Sequence, residues 1–205
     1  PDIAEAARTR VGFTGAHALE YSGETAAGGG ANRKIFNVSI PVTAATELSY
    51  RVFPQFAEGD PHYLATYVAI DLHFTDGTRL SGLGARDQHG FALSPLAQGE
   101  SKSLYARQWN HKQSRIGAVV AGKTIDRILV GYRSASGSGR FRGWIDDIRI
   151  ADATPAAPSP RPSDHVLTTR GTNSSGDFSR GNNIPATAMP HGFNFWAPVT
   201  NAGST

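Results

Sequence analysis

The sequence predicts an all-β protein whose first part folds as a jelly-roll sandwich. Short runs in which apolar and polar residues alternate dominate the first 150 residues, and glycine-rich segments separate them. Alternation with a period of two is typical of a strand with one buried face. Many such strands without alternating helices favour a sandwich or a jelly roll over an α/β fold.

Two runs give the clearest strands. The apolar residues Phe36, Val38, Ile40 and Val42 alternate with polar or small residues, so we expect them to face the core. The run 68–74 alternates in the same way and leads into an Asp-Gly pair at 76–77, which is typical of a tight turn. We expect further strands at 48–53, 127–132 and 143–150.

Helices are expected only at 3–8 and 101–109. A proline-rich segment, 153–163, has four prolines within eight residues and predicts a semi-rigid linker. It separates a sandwich domain, residues 1–152, from residues 164–205, which are too few and too irregular to form a core of their own. We interpret 164–205 as the first loops and strands of a second, truncated β-sandwich domain.

Composition argues against two classes of partner. The chain has 20 Lys and Arg against 17 Asp and Glu, and the basic residues are scattered rather than clustered. Nucleic-acid binding needs a basic stripe with stacking aromatics, so we expect none. We also expect no membrane partner, since no apolar run approaches the roughly 20 residues of a membrane helix. There is no cysteine, which excludes disulfides and thiolate sites.

The segment 170–200 carries a specific resemblance. Its Gly-Thr, Gly-Asn, Pro-Ala and Pro-x-Gly-Phe steps follow one another at Gly171-Thr172, Gly181-Asn182, Pro185-Ala186 and Pro190-His191-Gly192-Phe193. In this order they resemble the start of the catalytic region of glycoside hydrolase family 92, the calcium-dependent exo-α-mannosidases.

The resemblance implies that the chain is the N-terminal part of a secreted, inverting α-mannosidase acting on mannose-containing glycans or mannosyl phosphate. The family's catalytic acid, bases and calcium ligands lie on an (α/α)6 barrel beyond this chain, so no catalytic residue is expected here. Residues 164–205 contain only Asp164 and Asp177 as carboxylates, whereas glycoside hydrolysis needs a carboxyl pair flanking the bond. Carried over by position, Asn183, Ile184 and His191 approach the sugar; the alternative is that they only pack between domains.

A second resemblance concerns a possible calcium site in the first domain. Residues 141–150 resemble the closing strand of galactose-binding-like jelly rolls, where an aspartate often holds a structural Ca²⁺. On that resemblance, Asp146 and Asp147 are candidate ligands, with Glu20 or Glu24 supplying another oxygen. Two adjacent carboxylates fill only part of the six to eight positions around calcium. The alternative is that one aspartate pairs with an arginine and the other is solvated.

Aromatic and polar residues near 87–89 and 109–111 are candidates for glycan contact. Trp109 could stack on a sugar ring while His111, Asp87 and His89 bind hydroxyls, although a tryptophan in a sandwich more often packs in the core. Three functions therefore stay open for the first domain and its parent: a glycan-binding part of an α-mannosidase, a stand-alone carbohydrate-binding module, or a domain that only buttresses a catalytic one.

Overall fold

The computed structural model describes residues 12–154 and residue 161. Seven strands form two antiparallel sheets in this part of the chain, with the orders β1-β7-β3-β5 and β2-β6-β4. They are β1 (Leu19–Thr25), β2 (Gly30–Pro41), β3 (Thr46–Pro54), β4 (Val68–Phe74), β5 (Asn110–Ser114), β6 (Thr124–Arg133) and β7 (Gly139–Asp152). Each strand lies in the opposite sheet from the strand before it, which is jelly-roll connectivity. The predicted all-β sandwich is confirmed.

The compact unit that holds these strands ends at Thr154. The predicted helix at 3–8, residues 164–205 and most of the predicted linker lie outside the described residues. No helix in the described part of the chain is long and apolar enough to cross a membrane.

The core lies between the sheets and is built from their alternating inward side chains. On β3 every second residue from 46 to 52 is buried, as the alternation predicts. On β4 both faces are buried, since Ala69 and Asp71 are as inaccessible as their inward neighbours. The prediction of one buried face for this run is wrong, because a short helix, α1 (Pro95–Glu100), and a 3-10 turn at Leu80–Gly82 pack against its other side.

The register of β2 also differs from its sequence pattern. Phe36 is 53% exposed, whereas Ile35, Val38 and Ile40 pack against the core. The pairing of β2 with β6 shifts between Lys34 and Phe36. A shift of one residue turns side chains to the opposite face, so the predicted inward position of Phe36 is wrong.

The Asp-Gly turn is confirmed, whereas the helix expected at 101–109 is wrong. Gly77 has a φ of 84° and its N–H donates to the Phe74 carbonyl at 2.9 Å. The nearby helix is α1, which begins after Ser94. The Ser94 hydroxyl accepts a hydrogen bond from Ala97 N, and Pro95 occupies the first turn, a combination that favours a helix start. A second short helix, α2, spans Gly117–Val120.

Candidate functional site

The candidate site lies on the outer face of the four-stranded sheet, the face turned away from the three-stranded sheet. Glu47, Ser49 and Arg51 of β3 are half-exposed between buried neighbours. The strand register places Arg51 opposite His111 of β5 and opposite Asp146 of β7. Residues directly opposite each other on one face are in contact range. The fold therefore brings a guanidinium, an imidazole and a carboxylate together.

A cleft of about 580 Å³ opens on this face, and we call it the Arg51 cleft. Its walls come from β3, β5 and the second half of β7. They comprise Glu47, Ser49, Tyr50, Arg51, His111, Gln113, Asp147, Ile148, Arg149, Ala151, Asp152, Ala153 and Thr154. The lining is predominantly polar, and it places hydrogen-bond donors next to hydrogen-bond acceptors.

Arg51 is the central cation of the cleft. Its guanidinium carbon lies 4.5 Å from the centre of the Phe13 ring, a cation–π arrangement that holds the group against the ring. Within residues 12–154 this guanidinium makes no hydrogen bond or ion pair, although the Asp147 carboxylate is near enough to act on its charge. A planar fork of five N–H donors is therefore held in place and remains available to a ligand.

His111 is the neutral partner of Arg51. Desolvation, and then the charge of Arg51, lower the pKa of its imidazole below the ordinary value of 6.5. A cation beside a histidine disfavours the protonated form. At neutral pH the ring is thus uncharged, with one nitrogen able to donate and the other able to accept.

The strand β7 bulges beside this pair. Asp147 has a φ of 48°, and the pairing of β3 with β7 shifts between Ser49 and Arg51. Thr14 closes the bulge, because its N–H donates to Asp146 Oδ2 at 3.1 Å and its hydroxyl donates to Asp147 Oδ2 at 2.9 Å. The bulge directs two adjacent carboxylates onto the segment that precedes β1.

This arrangement bears on the predicted calcium ligands. The structure brings Asp146 and Asp147 together, but Glu20 pairs with Arg142 at 2.8 Å and Glu24 lies 3.9 Å from Arg140. No group of three or more histidine or acidic side chains within the described residues converges on one point. The two aspartates fit calcium by donor type, since carboxylate oxygens are its preferred ligands. Calcium binding there stays a prediction, with backbone oxygens needed to complete the shell.

An aromatic ridge borders the cleft, formed by Phe13, Phe53, Trp109 and Trp144. Trp109 meets Phe13 edge-on at 6.1 Å between ring centres and meets Phe53 at 5.5 Å. Trp144 meets Phe53 at 5.8 Å. Phe53 is fully buried beneath its neighbours, whereas the two tryptophans are half-buried and keep part of their rings accessible. Trp109 therefore packs against its aromatic neighbours and still leaves part of its ring accessible to a ligand.

Asn110 explains how Trp109 is held. Its side-chain amide donates to the carbonyls of Tyr105 and Gln108 at 2.8 and 2.9 Å, and its Oδ1 accepts from Tyr105 N at 3.0 Å. These bonds close the loop that precedes β5. The ring of Trp109 is consequently presented from a loop that is tied down on both sides.

Asp87 has a structural position instead of the predicted contact with glycan. It is 6% exposed. Its Oδ1 accepts the N–H groups of His89 and Phe91, and its Oδ2 accepts from Gln98 Nε2 at 3.1 Å and Lys112 Nζ at 2.9 Å. Burial raises its pKa, but the bonds from Lys112 and Gln98 outweigh burial and hold the pKa below its ordinary value. With both oxygens occupied inside the domain, Asp87 cannot reach a surface ligand.

His89 lies exposed at the tip of the same loop. The neighbouring Gln88 binds the edge of β5, donating to the His111 carbonyl at 2.7 Å and accepting from Gln113 N at 2.9 Å. The fold thus joins this loop to the strand that carries His111, but it places His89 outside the lining of the Arg51 cleft.

Sequence reasoning missed Arg51 and Phe13. The signal for Arg51 was its position in the outward phase of a predicted strand, since a cation flanked by half-exposed polar residues marks a solvent face. Phe13 gave no signal, because its segment has no periodicity. Asn183, Ile184 and His191 lie outside the described residues.

No protein-family model matches this chain. No curated protein matches it either. Among solved structures, a chain described as a crystal structure with xylogluco-oligosaccharide matches at a TM-score of 0.41 and 13% sequence identity. The match covers 74% of this chain and 34% of that chain, so this chain spans about a third of that protein's length. The resemblance of residues 170–200 to glycoside hydrolase family 92 stays a prediction.

Proposed function

We propose that the described domain is a non-catalytic carbohydrate-binding module whose binding surface is the Arg51 cleft and its aromatic ridge. The observation that carries the proposal is Arg51 itself, a half-buried guanidinium that is stacked on Phe13 and keeps its donors available. A sugar offers hydroxyl oxygens to such donors and a ring face to the neighbouring aromatics. Binding sites combine a few fixed polar groups with aromatic walls in this way.

Two of the three carboxylates of the cleft, Glu47 and Asp152, favour binding over catalysis. Glu47 accepts hydrogen bonds from Gln113 and Arg115, and Asp152 accepts from the hydroxyls of Thr43 and Thr46, which lower its pKa. A glycosidase needs one carboxyl group that stays protonated to act as the acid. Asp152 is held ionised instead, and Glu47 is occupied on both oxygens.

For the whole protein we propose a secreted, calcium-dependent, inverting α-mannosidase of glycoside hydrolase family 92. The support is the order of motifs in residues 170–200. In this proposal the module binds mannose-containing glycans, and Asn183, Ile184 and His191 approach the mannose, while a downstream barrel supplies catalysis and its calcium. The test is to express this chain together with the sequence that the gene encodes after Thr205. We expect that protein to hydrolyse an aryl α-mannoside and to lose the activity when calcium is chelated.

The binding proposal is tested by calorimetric titration of the 205-residue chain. The ligands are methyl α-mannoside, linear mannooligosaccharides and xylogluco-oligosaccharides. We expect saturable binding that Arg51→Ala weakens about tenfold or more, in line with the loss of charge-assisted hydrogen bonds. Arg33→Ala removes the same charge from the other sheet and should leave affinity unchanged. Absence of binding by every sugar would leave the module as a buttress for its parent enzyme.

A further inference from the structure

A second cleft of about 570 Å³ lies at the other end of the same sheet face. It is formed by β1, the first half of β7 and the segment that follows β3, and its lining includes Glu24, Gln55 and Phe56. It shares no lining residue with the Arg51 cleft. The sequence predicts no sugar site here, and it predicts Glu20 and Glu24 only as calcium ligands.

The charges around the second cleft cancel in pairs. Glu20 bonds Arg142 at 2.8 Å, and Glu24 lies 3.9 Å from Arg140. Both pairs are exposed, so they keep hydrogen-bonding capacity without creating a net field. A surface of this kind suits an uncharged polyhydroxylated ligand and offers no steering to a polyanion or a strongly charged peptide.

Gln55 supplies an acceptor that lacks a donor. Its Oε1 is buried and has no hydrogen-bond partner within the described residues, while its backbone N–H donates to the Arg142 carbonyl at 3.0 Å. A buried acceptor without a donor is costly. Gln55 lines the cleft, so a rotation of its side chain that exposes Oε1 would let a ligand hydroxyl donate to it.

Phe56, which lines the cleft, packs at an angle of 49° against Tyr63, which lies beside the lining. Their ring centres are 5.6 Å apart, and Tyr63 is 54% exposed although its φ is 52°, in the left-handed region. Asp60 maintains this backbone by accepting hydrogen bonds from His62 N and Leu64 N, on either side of Tyr63. A strained residue held by its surroundings is a feature of ligand-binding positions. Here the strain displays an aromatic ring to solvent.

The two clefts are joined by unbroken side-chain contacts. Arg142, at the second cleft, lies 4.9 Å from the centre of the Trp144 ring, and Trp144 begins the aromatic ridge that ends at Phe13 beneath Arg51. Along β7 the clefts are centred about eight residues apart, which is roughly 25 Å at about 3.3 Å per residue. That distance exceeds one sugar ring several times over.

We propose that the second cleft is a further subsite for the same glycan, so that the module binds an extended, uncharged oligosaccharide along β7 from Arg51 to Tyr63. This rests on the proposed function, because the Arg51 cleft is taken as the first subsite. Sugar rings contact the aromatic ridge between the subsites, and Phe56 with the exposed Tyr63 contacts a ring at the far end. The substrate class is thus an internal stretch of a chain and not a single terminal sugar.

The test compares ligand lengths in one calorimetric series with the 205-residue chain. Methyl α-mannoside and linear mannopentaose are titrated into the unchanged protein, into Tyr63→Ala and into Phe36→Ala. The last variant removes an equally exposed aromatic from the other sheet. Alanine, like tyrosine, has a Cβ atom, so the left-handed backbone at position 63 costs both residues a similar strain energy. An unchanged melting temperature verifies that the variant folds.

We expect the pentaose to bind about tenfold tighter than the monosaccharide, and Tyr63→Ala to remove most of that gain without affecting the monosaccharide. Phe36→Ala should behave as the unchanged protein. Equal affinity for both ligands, or a pentaose affinity insensitive to Tyr63→Ala, would overturn the second subsite and leave the proposed function standing. Binding of neither ligand would overturn both. Loss of monosaccharide binding in Tyr63→Ala would overturn the assignment of the Arg51 cleft as first subsite.

Discussion

The guanidinium of Arg51 lies 4.5 Å from the centre of the Phe13 ring, although 38 positions of chain separate the two residues. Phe13 belongs to the segment before β1, and Arg51 to a central strand of the sheet. The contact fastens that segment across the outer face and shields one side of the guanidinium from water. The guanidinium donors make no hydrogen bond within residues 12–154, which is the property that the proposed binding site needs.

Arg51→Lys tests the importance of that geometry. Lysine keeps the charge but loses the planar fork and most of the stacking on Phe13. We therefore expect sugar affinity to fall nearly as far as in Arg51→Ala, with the melting temperature little changed because position 51 is half-exposed. Calorimetric titration with the sugar that binds the unchanged protein most tightly measures this loss of affinity. Full affinity in Arg51→Lys would show that charge alone matters.

His111 predicts the pH dependence of binding. The pKa of its imidazole is lowered by desolvation and by Arg51, so the neutral ring that accepts a sugar hydroxyl persists at neutral pH. Protonation would add a second positive charge beside Arg51. We expect affinity to be constant above a pH of about 6.5 and to fall below it, with His111→Gln removing the dependence. Affinity that rises on acidification would contradict this assignment.

The same shift affects stability. The folded-state pKa of His111 lies below its unfolded value, so the unfolded chain binds the proton more readily. The neutral imidazole therefore contributes its full share of the folding stability above that unfolded pKa. It is lost as the pH falls through the folded pKa. Comparison of the unfolding free energy of the unchanged protein with that of His111→Gln between pH 7 and pH 5 isolates it.

The β2 register gives a test on two adjacent residues. Ile35 packs against the core and Phe36 is mostly exposed. Ile35→Ser should lower the free energy of unfolding by about 1 to 3 kcal/mol, whereas Phe36→Ser should change it by no more than about 0.5 kcal/mol. Denaturant unfolding compares them. A larger loss of stability in Phe36→Ser than in Ile35→Ser would show that Phe36 faces the core, as simple alternation predicts.

The sequence predicted five of the described strands and the sandwich class, because alternation directly reports one-sided burial. It missed β1, whose segment Leu19–Thr25 is mostly exposed, and β5, where the inward residues Asn110, Lys112 and Ser114 are polar. A strand that buries a lysine and an asparagine has no apolar alternation to detect. Tertiary hydrogen bonds, which are not encoded locally, maintain these two elements.

The candidate site was predictable only in part, for a related reason. Side-chain chemistry alone indicates His111 and Trp109, and both border the Arg51 cleft or its ridge. The same chemistry indicates Asp87, but its carboxylate faces inward and bonds Lys112, a buried lysine 25 positions away. Sequence shows which groups are available, whereas strand register decides which face each one occupies.

Calcium binding at Asp146 and Asp147 is tested by thermal unfolding. We expect chelator to lower the melting temperature and added calcium to restore it, since an ion at a hundredfold excess over its Kd stabilises the folded state by about 2.7 kcal/mol. Asp147→Asn should abolish the response, and asparagine tolerates the left-handed backbone there. Glu20→Gln is the control, because Glu20 pairs with Arg142. A melting temperature that chelator does not change would show that this domain binds no stabilising calcium.

The buried pair of Asp87 and Lys112 should control the stability of the domain. Their side chains are 0% and 1% exposed and meet at 2.9 Å, and they join the 86–91 loop to β5. Asp87→Asn leaves an ammonium group inside the protein without its counter-charge, which typically costs about 3 to 5 kcal/mol. We expect a loss of that order in denaturant unfolding. Asp87→Asn combined with Lys112→Met should recover part of it, because no buried charge then remains.

The pH dependence of that pair gives an independent measurement. The pKa of Asp87 is held below its unfolded value of 3.8, so its stabilising contribution is fully present above that value and is lost as the pH falls through the folded pKa. The unchanged protein should therefore lose stability on acidification more steeply than the double variant. Asp76→Asn, at the exposed pair with Lys123, should have little effect in the same assay. If Asp87→Asn were as stable as the unchanged protein, the carboxylate would be a passive member of the loop, and the buried ammonium group would depend on Ser103 for its stabilisation.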